Sequence, residues 1–239
     1  MKLTGAGFAA RLGVVAALEV AYVVFTRTWL ADHSEGEQLE LLTTCLRLLD
    51  AAICGFLFRG LILARRAHVR PQWHPLLLIA IACVLLVPVL VGDDGLPADQ
   101  QWVFAWTSIV VAVREEFVYR GVLQNVIQHR LGPRMAVLGS NVIFTLYHYG
   151  AQPFSPIGLL ELFTMGCILG LIYFGTGSIL LCAALHAIYD ALWCFVPFLK
   201  EPWPPLMQAT LYVAAALLVI VWAWRGDPLR AMAAPIRGR

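Results

Sequence analysis

Charged residues are scarce in this sequence, and the scarcity decides its class. Asp, Glu, Lys and Arg make up 13% of the 239 residues and apolar residues 60%, whereas a soluble domain carries about 25% charged and roughly 45–50% apolar residues. A soluble fold cannot hide so much apolar surface, so lipid is the solvent for much of it. The net charge of +2 is too small for a nucleic-acid-binding protein, and no nucleic acid is expected as a partner. Familiar catalytic signatures are missing as well. No GxSxG presents a serine nucleophile, and no HExxH marks a zinc protease. The six cysteines, Cys45, Cys54, Cys83, Cys167, Cys182 and Cys194, lie in apolar stretches without a CxxC pair. They read as small hydrophobes rather than a disulfide framework or a zinc–thiolate site.

What is present is a series of apolar runs divided by charged or Pro/Gly-rich breaks. They predict spans at Leu12–Leu30, Leu39–Leu63, Pro75–Val91, Trp102–Ile127, Met135–Gly150, Ile157–Phe174, Ser178–Phe198 and Leu206–Trp224. The expected fold is all-α: a polytopic membrane protein of about eight helices of roughly 20 residues each, in one domain over residues 1–239. Lys2 and Arg11 precede the first run, but Glu19 interrupts it and no small-residue cleavage site follows. It is therefore expected to be an uncut span. Arg59, Arg65, Arg66 and Arg70 follow the second span, Arg130 and Arg134 the fourth, and Arg225, Arg230, Arg237 and Arg239 the eighth. Asp32, Glu35 and Glu37, then Asp93, Asp94 and Asp99, occupy the opposite loops. Because Lys and Arg collect on the cytoplasmic side, both termini are expected there. Trp29, Trp73, Trp102, Trp203 and Trp224 fall near span ends, as in interfacial belts.

Charges inside spans are costly and face a bundle interior or a cavity. Arg114-Glu115-Glu116-Phe117-Val118-Tyr119-Arg120 sits within the fourth span. At about 100° per residue, Arg120 lies one turn from Glu116 and can neutralise it, while Glu115 points elsewhere. In the fifth span Phe144 and His148 share a face at i,i+4; in the seventh, His186 and Asp190 do the same. A lone membrane histidine is more often a packing residue, and a lone Glu–Arg pair is often structural. Three such groups on three helices would each need separate compensation, which favours one shared site. Glu19, Glu161 and an Arg47–Asp50 pair read as structural, with Glu161 a candidate to line the cavity.

A carboxylate beside a neutral imidazole can hold a water and take its proton. A second imidazole can donate to a developing oxyanion. Those are the parts for amide hydrolysis without a covalent intermediate, and no cofactor is needed. By residue type, Glu115, His148 and His186 would also serve as a His-His-Glu zinc set. Buried Glu and His equally mark proton relays in transporters or export-assembly factors. Metal-free hydrolysis is the preferred reading, with no metal ligands assigned.

Glu-Glu-x-x-x-Arg (Glu115, Glu116, Arg120), Phe-x-x-x-His (Phe144, His148) and His-x-x-x-Asp (His186, Asp190) follow one another on separate spans. In that order they resemble the CPBP family of CAAX proteases and bacteriocin-processing enzymes, which includes the Rce1-like endopeptidases. The motif core runs over residues 115–190. The resemblance implies an eight-helix bundle around a conical intramembrane cavity. It implies that Glu115 and His148 activate a water and that His186 with Asp190 forms the oxyanion site. Glu116 and Arg120 would support the first motif, and Phe144 would shape the pocket. Better-known members carry Asn where this chain has Asp190; an ionised Asp cannot donate to an oxyanion, so Asp190 is expected to orient His186 and fix its tautomer. The Arg- and Ala-rich composition points to a bacterial inner-membrane protein. Its expected partners are the lipid bilayer and a membrane-anchored substrate: a leader peptide, a sorting signal or, as in myxosortase-like members, a C-terminal anchor.

Overall fold

The computed structural model describes residues 6–68, 75–91, 96–149, 155–195 and 203–225, with side chains throughout except at 63–68, 75–77, 220 and 222–225. Lys2, Arg70, Trp73, Asp93, Asp94, Arg230, Arg237 and Arg239 lie outside the described residues. The side chains of Arg65, Arg66, Trp224 and Arg225 lie outside them too.

The apolar runs become helices, and the described residues contain no strand. Helix α1 is Ala6–Phe25, continued by a π-helical turn, Thr26–Leu30, and a last turn, Ala31–His33. Helix α2 is Gly36–His68 and α3 is Pro75–Val91. Helix α4, Ala98–Glu115, passes directly into a π-helical segment, Glu116–Gln124, and then into α5, Asn125–His148. Helices α6, α7 and α8 are Pro156–Thr176, Ile179–Phe195 and Pro205–Arg225.

The fourth and fifth expected spans follow one another directly as two helical rods, separated by a break at Gly132. Gly132 adopts φ 83° and ψ 174°, a conformation open to glycine because it has no Cβ. Pro133 follows and has no N–H to continue the ladder. The break turns a long polar-cored helix into two rods, the second of which ends at His148.

The sorting of residues is inverted relative to a soluble protein. Leu180 and Leu206 are 76% and 79% exposed, while Arg120 and Glu116 are fully buried. A surface of large apolar side chains around buried charge is what a hydrocarbon solvent demands, since it rewards apolar contact and cannot solvate an ion. Among the described residues, Ala6–His33, Gly36–Ile62 and Pro156–Thr176 are long and apolar enough to cross a membrane by length and composition; Leu78–Val91, Ile179–Phe195 and Pro205–Val219 are shorter apolar helices. The protein is an all-α membrane protein.

Helix α4 is the hub: it packs most extensively against α7 and α2. One apolar cluster gathers Ile172, Tyr173, Cys182 and Leu185 with residues of α3 and α8. A second gathers Cys54, Phe58, Tyr119 and Phe144 with α1. The π-helical segment joins them, with Phe117 against the first and Val118, Tyr119 and Val122 in the second. Helix α6 approaches α5 closely at Gly166, where a Cβ would stand 2.5 Å from Asn141 Oδ1. A side chain there would press on Asn141 and Phe144, and the Gly166 carbonyl accepts from Arg120.

Candidate active site

The segment bearing Glu116 and Arg120 is not the ordinary α-helix expected from their spacing. It is π-helical, a wider winding with i→i+5 hydrogen bonds that is rare and frequent at functional sites. The expected pairing survives the change: Arg120 Nε lies 3.1 Å from Glu116 Oε2, and both side chains are fully buried. A terminal nitrogen of Arg120 donates to the Gly166 carbonyl at 3.0 Å. Its guanidinium carbon stands 5.2 Å from the centre of the Phe144 ring.

Glu116 has a second task. Its Oε1 lies 3.0 Å from His186 Nδ1. A carboxylate oxygen accepts, so Nδ1 carries the hydrogen. The expectation gave Asp190 that tautomer-fixing role, but Asp190 Oδ2 lies 3.5 Å from the other nitrogen, Nε2. The reason is positional. Nδ1 faces back toward the π-helical segment, while an i+4 residue on α7 reaches only the outer edge of the ring.

Glu115 meets two imidazoles from two other helices. Its Oε1 is 3.6 Å from His148 Nε2 and its Oε2 is 3.9 Å from His186 Nε2. Neither is a direct hydrogen bond, and Oε2 is buried without a hydrogen-bond partner among the described residues. His148 Nδ1 is 2.9 Å from the Phe144 carbonyl, which can only accept, so Nδ1 donates and Nε2 is left facing Glu115. Phe144 packs beside both histidines, with ring centres 4.5 Å from His148 and 6.3 Å from His186. Side-chain exposure rises from 6% at Glu115 to 28% at Asp190, so the cluster opens on the Asp190 side.

Arg114 carries no expected role, yet it bonds three side chains in the core. Its Nε donates to Asp50 at 2.8 Å, one terminal nitrogen donates to the Tyr147 hydroxyl at 2.8 Å, and the other donates to Glu19. It also stands 4.0 Å from Glu115 Oε1. This corrects the expected Arg47–Asp50 pair: Arg47 bonds Glu40 at 2.6 Å, and Asp50 belongs to Arg114. Glu161 accepts from the Tyr189 hydroxyl. Arg27, in the π-helical turn of α1, donates to the carbonyls of Tyr147 and Tyr149, where α5 ends. Those terminal carbonyls lack partners inside the helix, so α1 fixes the end of α5 on which His148 sits. A charge interrupting a run, such as Glu19, was the available signal for this network.

Among the described residues no group of three or more His, Cys, Asp and Glu is arranged to hold a metal ion. The arrangement offers a buried carboxylate between two imidazoles, one held through Nδ1 by the Phe144 carbonyl and the other held from behind by an acid. Residues 97–192 match the family model of Rce1-like type II CAAX prenyl endopeptidases. The match begins just ahead of α4 and ends two residues past Asp190, so it contains Glu115, Glu116, Arg120, Phe144, His148, His186 and Asp190. Glu19 and Asp50 lie outside it. No curated protein and no solved structure matches the chain.

Proposed function

We propose, from the premise that residues 97–192 form an Rce1-like domain of the CPBP family and make this protein a hydrolase of a protease family, that the chain is a glutamate-dependent intramembrane endopeptidase. One observation carries the reading: the Glu115 carboxylate lies 3.6 Å from His148 Nε2 and 3.9 Å from His186 Nε2, both beyond direct bonding. With His148 neutral, the gap between Glu115 and His148 Nε2 lies between two acceptors and suits a water that donates one hydrogen to each. The water's lone pairs then point away from both groups, toward an incoming carbonyl.

In the proposed step, the water oxygen attacks the scissile carbonyl carbon while Glu115 takes its proton. The C=O electrons move to oxygen, and His186 Nε2–H receives the resulting oxyanion, with Glu116 holding the ring from Nδ1. When the tetrahedral carbon collapses, the C–N bond breaks and Glu115 returns the proton to the leaving amine. An Nε2–H beside an Nδ1–H means a doubly protonated ring, which the carboxylates of Glu116 and Asp190 suit by charge. Asp190 is assigned to hold that cation beside the oxyanion position. Asp190→Leu should therefore lower kcat by roughly 100-fold, and Asp190→Asn, which keeps a polar group beside Nε2 but not the charge, by less. Equal activity of Asp190→Leu and the unaltered protein would remove Asp190 from the site.

The substrate class is a membrane-anchored protein or peptide, cut at a leader, a sorting signal or a C-terminal anchor. Purified protein should cleave such a substrate after chelation and dialysis. Loss of turnover restored by added zinc would overturn the metal-free mechanism. The whole chain is read as one peptidase unit of eight spans, the rods on either side of Gly132 each counting as one, in a bacterial inner membrane with both termini cytoplasmic. In a background without native cysteines, an impermeant thiol reagent on intact cells should reach Asp94→Cys and miss Arg66→Cys. The reverse labelling would invert the topology.

A further inference from the structure

Behind Glu115 lies a second acidic group that hydrolysis as described does not use. Glu19 of α1 and Asp50 of α2 both bond Arg114, which is 1% exposed. They engage Nε and one terminal nitrogen, each through a single oxygen. Adjacent donors of a guanidinium ordinarily grip the two oxygens of one carboxylate. Here one oxygen comes from each of two carboxylates, so the two acids are pressed together. Their other oxygens, Glu19 Oε1 and Asp50 Oδ1, are buried and have no hydrogen-bond partner among the described residues. Glu115 Oε1 adds a third carboxylate at 4.0 Å from the same cation.

Three carboxylates against one guanidinium is a surplus that a low-dielectric core does not tolerate, and two acids sharing one site hold a proton between them. Two other cations nearby do not cancel it: the His186 ring, 3.9 Å from Glu115 Oε2, already faces Glu116 and Asp190, and Arg47 is engaged elsewhere. Arg47 donates to the Tyr22 hydroxyl at 3.0 Å and to Glu40 at 2.6 Å. The remaining faces of Arg114 are closed by the rings of Tyr22 and Tyr147, whose centres lie 4.6 and 4.9 Å from the guanidinium carbon.

We propose that Glu19 and Asp50 share one proton on the Arg114 guanidinium, and that this acid pair, acting through Arg114, positions Glu115 as the base. The proposal rests on the reading of Glu115 given above. One proton is the balanced state. With none, the pair repels Glu115. With two, Arg114 has no anion but Glu115, and it closes the 4.0 Å gap and ties up the carboxylate that must accept a proton from water. Arg114, Glu19 and Asp50 are positioning residues that touch no reacting atom.

The experiment has two arms, both on the full-length protein in bilayers. In infrared spectra, subtracting Glu19→Gln from the unaltered protein should leave a protonated-carboxyl C=O band that shifts in D2O, and so should subtracting Asp50→Asn. A difference showing only carboxylate bands overturns the shared proton, and Glu19→Gln alone decides this if Asp50→Asn does not fold. In turnover, each single amide still leaves one carboxylate on Arg114, whereas the double variant leaves none. The double should therefore lose at least roughly tenfold more kcat than the product of the two single losses, with KM little changed. Losses that simply multiply, or that follow melting temperature, overturn the positioning role. The infrared arm needs no turnover, so a failure of the base reading at Glu115 is seen separately from a failure of the acid pair.

Discussion

Glu115→Ala is expected to lower kcat for peptide hydrolysis by about 10⁴-fold, the upper range for loss of a general base. It removes the acceptor that takes the proton from water and returns it to the leaving amine. The fold should tolerate the change. His148 keeps its bond to the Phe144 carbonyl, His186 keeps Glu116, and Arg114 keeps Asp50, Glu19 and Tyr147. None of these partners is stranded when the Glu115 carboxylate goes, because its own contacts lie at 3.6 to 4.0 Å. Glu115→Gln, which preserves shape but cannot accept the proton, should be nearly as inactive. Single-turnover cleavage by purified protein, with thermal melting in the same detergent, checks both. A Glu115→Ala protein within tenfold of normal turnover would remove Glu115 from the base role.

Arg120→Ala should act the other way, through stability first. Arg120 and Glu116 are fully buried and 3.1 Å apart. Removing one member of a buried pair leaves an uncompensated charge and costs about 3–5 kcal/mol. Expression, melting temperature and activity should fall together. Arg120→Lys should recover only part, since an ammonium lacks the planar fork that meets Glu116 and the Gly166 carbonyl at once. Replacing both members, Arg120→Met with Glu116→Gln, should restore much of the stability, because a neutral buried pair carries no desolvation penalty. It should not restore turnover, because His186 then loses the carboxylate behind Nδ1. An Arg120→Ala protein that melts like the unaltered chain yet cleaves nothing would instead make Arg120 a direct participant in the reaction.

The membrane class, the all-α fold and the residue types of the candidate site were legible from the chain alone. Each follows from composition, or from spacing within one helix: 60% apolar residues demand lipid, and an i,i+4 pair such as Glu116 and Arg120 shares a face under either winding. The fold at Gly132 was also written locally, in a Gly-Pro step. What local information could not reach is which distant groups meet. Arg114 finds Asp50 across 64 positions and Glu19 across 95, and no periodicity in any one helix predicts that encounter. Asp190 shares a face with His186, yet Glu116, on a different helix and 70 positions away, takes Nδ1. The sequence by itself determined that charge would be buried and which side chains would carry it. Only the packing of α1, α2, α4, α5 and α7 decided the partners, because a buried ion in a medium without water is stabilised by whichever opposite charge the neighbouring helix brings within reach.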